Sequence, residues 1–361
     1  MARRIAVGMS GGIDSFAAAL RLQEQGWEVV GVHLSLWGKD DLRGVEALCR
    51  RLSIPLVVRD GREFFRDRVV EEFVRAYRMG HTPSPCCTCN RFVKWHLLEQ
   101  AALDAGAERI ATGHYVRMAE RGGKHYVRRG VDEAKDQSYF LWGLSSRLLA
   151  KAVTPLGNCT KQEVKAWAMS RGYEVLAQRR ESMGVCFLQG TDYRDFIRAY
   201  GGRAQEEQGD IAFRETGQLV GRHDGLANYT VGQRRGMPVV DGVPLYVAGV
   251  DVGRNLIWAD VKSSLFSNVL YLEQLNVIDG KDLEADDLTL RVRGIGLNPQ
   301  GTVRVERLAG GRCRVWLSEA AWAVAPGQPV AFYRGDWLVG GGIVCRVEKV
   351  EKIDAPCCGI Q

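Results

Sequence analysis

The chain has 361 residues, of which 46% are hydrophobic and 25% charged, and a net charge of +6. These values fit a soluble globular protein of two or three domains, and no run of about twenty apolar residues marks a membrane span. The mild basic excess permits an anionic partner without requiring one. The opening "MARRIAVGMSGG" has too short an apolar run for a signal peptide, whose core needs roughly 7–15 residues. Ten unevenly grouped cysteines then fit a reducing, cytoplasmic compartment, where such groups more often serve chemistry or metals than structural bridges.

The first 150 residues alternate strand and helix signals. "RIAVGM", "EVVGVHL", "IPLVVRD" and "RIATGHY" read as strands. "SFAAALRLQEQG", "DDLRGVEALCRRL", "REFFRDRVVEEFVRAY" and "RFVKWHLLEQAALDAG" between them carry helical spacing. This order predicts an α/β domain with a parallel sheet over 1–150. Residues 151–210 read as a small, mostly helical domain. Its "TKQEVKAWAMSRG" opens on a capping-box pattern, Thr160 with Glu163 three residues on. From 211 to 352 the pattern is short strands broken by glycine turns, which predicts an antiparallel β-barrel of about six strands. The tail 353–361 is expected to fray.

"GMSGGIDS", Gly8–Ser15, lies between the first strand and the first helix. Its glycines let several N–H groups converge, the helix adds its positive N-terminal end, and Ser10 and Ser15 add hydroxyls. Such a nest suits a pyrophosphate. It lacks the GK[ST] ending of a Walker loop, so it offers no lysine to a terminal phosphate. The plain alternative is a glycine-rich turn capped by Asp14 and Ser15.

"HTPSPCCTCNRF", at 81–92, packs Cys86, Cys87 and Cys89 into four positions. The residues alone leave open a metal knuckle, a redox pair, a nucleophile or a crowded turn. A structural zinc using His81 is one such option. Adjacent side chains point apart, so Cys86 and Cys87 are not expected to face one site. Cys49, Cys313 and Cys345 fit core packing, Cys159 has no evident partner, and Cys357 and Cys358 belong to the tail.

The string S-G-G-x-D-S resembles the signature of the PP-loop ATP pyrophosphatases, which attach AMP to an oxygen and release pyrophosphate. Further strings narrow the resemblance: "TPSPCCTCNRFVKW", "ATGHYV", "KDQSYFLWGL", "SMGVCFL", "YTVGQRRGM" and "PGQPVAFY". In this order, with the β-rich last third, they resemble the bacterial tRNA-specific 2-thiouridylases over essentially the whole chain. That family replaces O2 of the wobble uridine by sulfur in Lys, Glu and Gln tRNAs. The resemblance implies ATP against Gly8, Met9, Ser10, Gly11, Gly12, Ile13, Asp14 and Ser15, with Leu34 and Gly113. It implies that Asp14 helps to hold Mg²⁺. It puts tRNA against His114, Lys135, Asp136, Gln137 and Gln328, and against Arg293, although Gly294 departs from the family's usual pair there. Leu34 and Ser84 also depart, standing where Met and Asn are usual. No DNA and no membrane is implied as a partner.

The resemblance further implies a nucleophilic Cys89 partnered by Cys186. Cys89 is expected to open the helix "NRFVKWHLLEQ", where a helix end lowers a thiol pKa. Two sulfur routes remain open. In one, Cys186 takes a persulfide from a cysteine desulfurase or a relay protein, and Cys89 discharges it through a disulfide. In the other, Cys86, Cys89 and Cys186 ligate a [4Fe–4S] cluster whose fourth iron presents hydrosulfide. The rivals are a PP-loop ligase or amidotransferase with a small-molecule substrate, and a non-enzymatic RNA-binding protein with a metal knuckle.

Overall fold

The computed structural model describes residues 3–38, 41–179, 184–201 and 207–350. The expected frayed tail and the first two residues of "SMGVCFL" lie outside them. Among the described residues no helix is long and apolar enough to cross a membrane.

The N-terminal sheet grows from β1 (Arg4–Gly8), β2 (Glu28–Ser35), β3 (Leu56–Asp60) and β4 (Arg109–Ala111). Helices α1 (Ile13–Glu24) and α2 (Leu42–Arg51) make the first two crossovers. Ile5, Ala6 and Val7 of β1 have no exposed surface, as expected of a central strand covered on both faces. Phe16, Ala17, Ala18, Ala19 and Leu22 of α1 pack on one side of it. Burying a side chain such as Phe16 contributes roughly 1.5–3 kcal/mol.

The next crossover departs from the expected pair of helices. Helix α3 (Arg62–Phe65) runs through a π turn, Arg66–Val70, into α4 (Glu71–Arg78). Helix α5 (Pro85–Cys89) runs through a second π turn, Asn90–Lys94, into α6 (Trp95–Asp104). The helix carrying the cysteines therefore starts four residues before Cys89. Pro85 opens it because a proline ring is pre-set for the first helical position and an N–H there would be unpaired anyway.

A hairpin, β5 (Val116–Arg121) and β6 (Lys124–Arg129), turns at Gly122 and Gly123, both left-handed with φ of 60° and 70°. Helix α7 (Ser146–Leu149) and the short strand β7 (Ala152–Val153) complete a five-stranded parallel sheet in the order β3-β2-β1-β4-β7. The strand order reverses between β1 and β4, so a crevice opens at their carboxyl ends. Helix α8 (Lys161–Met169) follows, with the expected capping box at Thr160 and Glu163. Helices α9 (Glu174–Gln178) and α10 (Tyr193–Gly201) lie beyond it.

The stretch 211–352, expected as one barrel, holds two separate β units. The first has β8 (Gly209–Phe213), β9 (Leu219–His223), a small hairpin β10 (Val239–Val240) and β11 (Val243–Pro244), β12 (Tyr246–Asp251) and β13 (Leu256–Asp260). Its main sheet runs β12-β13-β8-β9. The second has β14 (Phe266–Val277), β15 (Leu288–Arg291), β16 (Val303–Leu308), β17 (Arg312–Trp322), β18 (Pro329–Arg334) and β19 (Trp337–Glu348), in the order β15-β18-β19-β14-β17-β16. Both units alternate with period two, so the pattern shows strands without showing which of them pair. The 116–129 hairpin also joins the second unit, with Leu338 of β19 beside Val127.

"KDQSYFLWGL" turns out to be the seam between the N-terminal unit and this last barrel. The buried Asp136 carboxylate accepts from the Gly130 N–H, from the Ser138 N–H and hydroxyl, and from Arg291 of β15 at 3.1 Å. The Tyr139 hydroxyl donates to the Pro329 carbonyl at 2.9 Å. Asn276 donates to the carbonyls of Trp142 and Leu144. Asp136→Ala strips these donors of a shared buried acceptor. It is expected to cost about 3 kcal/mol, read as a lower denaturant midpoint. A loss under about 1 kcal/mol, the ordinary range for a surface pair, would show that the seam does not depend on this carboxylate.

Candidate active site

The crevice at the strand ends is a cavity of about 520 Å³ lined by Gly8, Met9, Ser10, Asp14, Ser15, Leu34, Lys94, Gly113, His114, Gln137 and Cys186, among others. The phosphate loop forms its floor. Ser15 sits in the first turn of α1, where its hydroxyl donates to the Gly12 carbonyl at 3.0 Å and accepts from the Ser10 N–H at 3.2 Å. Gly12 caps the helix without a side chain, which leaves the first-turn N–H groups without intrahelical partners. Gly11 is left-handed, with φ of 81°. Gly113 closes the back of the loop: a Cβ there would come within 2.6 Å of the Asp14 backbone and 2.8 Å of the Ser15 nitrogen. Of the residues expected to meet ATP, Gly8, Met9, Ser10, Asp14, Ser15, Leu34 and Gly113 line the cavity directly. Ile13 is instead buried in the core beneath α1.

Two residues that the sequence did not single out hold Asp14. Lys161, the first residue of α8, places Nζ 2.7 Å and 2.8 Å from the two Asp14 oxygens. The Tyr115 hydroxyl donates to Asp14 at 2.8 Å. Asp14 supplies oxygen donors on the cavity wall, the ligand type Mg²⁺ takes in phosphate sites. Thr160 and Glu163 made the start of α8 legible, but a reach back over 147 residues leaves no local pattern.

The cysteines divide by face. Cys86 and Cys89, three apart, share one side of α5. Cys87 points away, 3.9 Å from the Tyr139 carbonyl, and burial pushes its thiol up to about 12. Cys89 is buried among Phe65, Val69, Phe73, Val93 and Phe187. Burial pushes its thiol up to about 11, with the Lys94 ammonium pulling the other way. Cys89 is therefore not the helix-opening thiol of the sequence reading, because the earlier start at Pro85 puts it inside the helical run.

Cys186 lies in a turn rather than the expected strand-like segment, exposed at the cavity. The adjacent Phe187 anchors that turn in the aromatic cluster around Cys89, edge-on to Phe65, Phe73 and Trp37. Crowding by the cavity walls, and then the charge of Cys86, raise the Cys186 thiol. Among the described residues no three His, Cys, Asp or Glu side chains are gathered as a metal site. After burial, the charges of Cys186 and Cys86 both raise the Cys89 thiol, so the three sulfurs lie in one neighbourhood.

Lys94 lines the same cavity. Bonds from residue i to i+5 in the π turn Asn90–Lys94 bring residues five apart onto one side, which swings Lys94 round to Cys89. Trp37 also lines the cavity. Neither residue was singled out in the sequence, since both sit in ordinary amphipathic patterns.

The residues expected to meet tRNA separate into two groups. His114 and Gln137 line the cavity. His114 stacks on Trp95, pairs through Nδ1 with the Thr112 hydroxyl at 2.7 Å, and is pushed down to about 3 by burial and then by Lys94. Both effects favour the neutral ring. Gln137 accepts the Tyr115 N–H at 3.0 Å, and Lys135 is half-buried in the same loop. Asp136 belongs to the seam and presents no free carboxylate to a ligand, contrary to the expected RNA grip. Arg293 and Gln328 border a second groove with Thr82, Ser84 and Phe140. There Arg293 donates to the carbonyls of Trp322 and Ala323, and Gln328 accepts the Ala325 N–H.

The α/β unit and the two β units each match a family model. The family model for the tRNA methyl transferase HUP domain matches residues 3–190, that for the tRNA methyl transferase PRC-barrel domain 194–259, and that for the aminomethyltransferase beta-barrel domain 267–344. The chain is 41% identical to tRNA-specific 2-thiouridylase MnmA 3 of Bacteroides fragilis, over 95% of this chain and 94% of that one. It is 37% identical to tRNA-specific 2-thiouridylase MnmA of Geotalea uraniireducens, over 94% of each. Among solved structures, a 4-thiouridine synthetase–RNA complex with bound ATP overlaps at 17% identity and a TM-score of 0.35, covering 52% of this chain and 46% of that one, too slight a likeness to bear on function. The chain belongs to the tRNA-specific 2-thiouridylase family.

Two outcomes follow from the geometry. Gly113→Ala drives a methyl into the loop backbone and is expected to abolish nucleotide binding in a titration while the barrel stays folded by circular dichroism; unchanged affinity would mean the loop can move aside. In iodoacetamide labelling at pH 8, Cys186 is expected to react well before Cys89. Cys89 labelling should then rise about tenfold per pH unit, because the thiol stays protonated until about pH 11. A Cys89 plateau near pH 8 would contradict the burial argument.

Proposed function

We propose that the chain carries out ATP-dependent 2-thiolation of the wobble uridine in Lys, Glu and Gln tRNAs, in a cytoplasmic setting. The observation that carries this reading is one cavity lined by both the phosphate loop and Cys186, with Cys89 in the aromatic cluster that also holds Phe187. A small-molecule ligase would need the first feature and not the second.

The uridine O2 is a poor leaving group. Its attack on the α-phosphorus of ATP forms an O2–P bond and breaks the bond to the β-phosphate, so pyrophosphate leaves. The loop N–H groups and the α1 N-terminus are aimed where that charge develops. Mg²⁺, held by Asp14 and the phosphates, would neutralise part of it.

Cys186 is the thiol within reach of an external donor, a cysteine desulfurase or a relay protein. Its persulfide attacks C2 through the terminal sulfur, and AMP leaves. Cys89, as thiolate, then attacks the Cys186 sulfur and forms a Cys89–Cys186 disulfide. The terminal sulfur stays on the base as the thiocarbonyl. Two thiols are restored by a dithiol reductant. The neutral His114 can donate one hydrogen bond to the base without competing as a cation.

The test uses the protein, ATP, a desulfurase with cysteine, and unmodified tRNA. Formation of 2-thiouridine and pyrophosphate, each dependent on tRNA, is the expected result. Pyrophosphate without dependence on tRNA would favour a small-molecule ligase. Cys89→Ser and Cys186→Ser are expected to lower product at least a hundredfold, whereas Cys86→Ser should stay within about threefold. Loss of activity in Cys86→Ser together with iron in the purified protein would overturn the persulfide route.

A further inference from the structure

The phosphate loop has no lysine of its own, yet a triphosphate needs a cation opposite its charge. The structure brings one from elsewhere. The side chain of Lys161 is only 7% exposed and its ammonium sits on both oxygens of Asp14. Its position is rigidly set. Its backbone N–H donates to the Asp132 carboxylate at 2.8 Å, and Thr160 and Glu163 close the capping box beside it. Val164 and Ala168, further along α8, join the core cluster that holds α1. The ammonium therefore lies at the base of the loop on a fixed support, beside the carboxylate that a nucleotide-borne metal would claim.

Oδ1 of Asp14 already accepts from Tyr115 and Lys161, so Oδ2, which among the described residues accepts only from Lys161, is the oxygen left for a metal. A divalent ion arriving there with the triphosphate sets a second positive charge beside the ammonium and weakens its hold on Asp14, while the phosphates bring new anions within its reach. We propose that Lys161 is the phosphate-contacting lysine of this site, parked on Asp14 in the free protein and turned to the β- and γ-phosphates when nucleotide binds. The inference rests on the reading that this cavity takes ATP. It gives the departing pyrophosphate a counter-charge supplied from α8 rather than from the loop.

A purely structural ion pair, fastening α8 to α1, would have a different signature. It would affect every ligand of the cavity alike, whereas a phosphate contact discriminates by phosphate number. The experiment measures binding of ATP, pyrophosphate and AMP, with and without Mg²⁺, to the full chain and to Lys161→Met, Lys161→Arg and Thr160→Ala, with melting temperatures in parallel. In Lys161→Met, ATP and pyrophosphate should bind at least tenfold more weakly while AMP changes less than about threefold, and Lys161→Arg should recover part of the loss. Thr160→Ala weakens the helix cap alone and should lower the melting temperature with the ATP-to-AMP ratio unmoved. Equal losses for ATP and AMP in Lys161→Met, or no loss, would overturn the proposal.

Should Lys161→Met not fold, the unmodified protein still decides. Adenosine diphosphopyridoxal, which carries an aldehyde at the phosphate end, followed by borohydride, should label Lys161, and ATP should prevent it. Labelling of Lys94 with Lys161 untouched would overturn the assignment. Failure of the unmodified protein to bind ATP at all would instead overturn the underlying reading of the cavity.

Discussion

The buried carboxylate of Asp136 is the constraint on which the rest of the molecule leans. It is almost inaccessible and must have its acceptor capacity filled, since an unpaired buried charge is costly. Gly130, Ser138 and Arg291 fill it. That requirement fixes a loop of the N-terminal unit against a strand of the barrel. One residue further on, Gln137 holds the Tyr115 N–H, Tyr115 holds Asp14, and Asp14 holds Lys161. The contacts from barrel to phosphate loop thus form one connected set. A motif that read as a surface for RNA is first of all the joint that aligns the cavity wall.

The thiols sit under opposing demands. Sulfur chemistry needs a thiolate, yet Cys89 lies in an aromatic pocket that favours the neutral thiol. With a thiol near 11, only about one molecule in a thousand is ionised at pH 8. Shelter has a compensating use, because a persulfide or an adenylated base exposed to water would be lost to hydrolysis. Lys94 eases the conflict by placing a positive charge beside the pocket, and the π turn after Cys89 is what brings it there. The same charge lies against His114 and helps to keep that imidazole neutral. One lysine thus favours thiolate on one wall and suppresses imidazolium on the other.

Much of this was legible from sequence, and the illegible part has a physical pattern. Strands and helices with strong local periodicity were read directly, as was the phosphate loop, because glycine at 11 and 12 reports a local backbone need. The capping box at Thr160 was read for the same reason. The helix starting at Pro85 was not, since "NRFVKWHLLEQ" is itself a good helix and hides the earlier beginning. The split of 211–352 into two sheets was hidden because pairing between strands is non-local. Asp14–Lys161, Asp136–Arg291 and Cys89–Phe187 were hidden for that reason too: each joins segments 98 or more residues apart in the chain, and nothing in either segment alone specifies the other. What the sequence does show is a residue type with an unmet need, such as an anion-binding loop without a cation.

That last point bears on how the cavity is assembled. The N-terminal unit supplies the loop, Asp14 and Gly113, which together bind phosphate through backbone dipoles and a close approach. It supplies neither the cation on Asp14 nor the exposed thiol. Both come from the segment after β7: Lys161 from the first turn of α8, and Cys186 from the turn anchored by Phe187. In the proposed reaction the leaving pyrophosphate and the incoming sulfur would thus each be met by a side chain from this one segment. Packing of α8 on α1 sets the first position, and packing of Phe187 among Phe65, Phe73 and Trp37 sets the second.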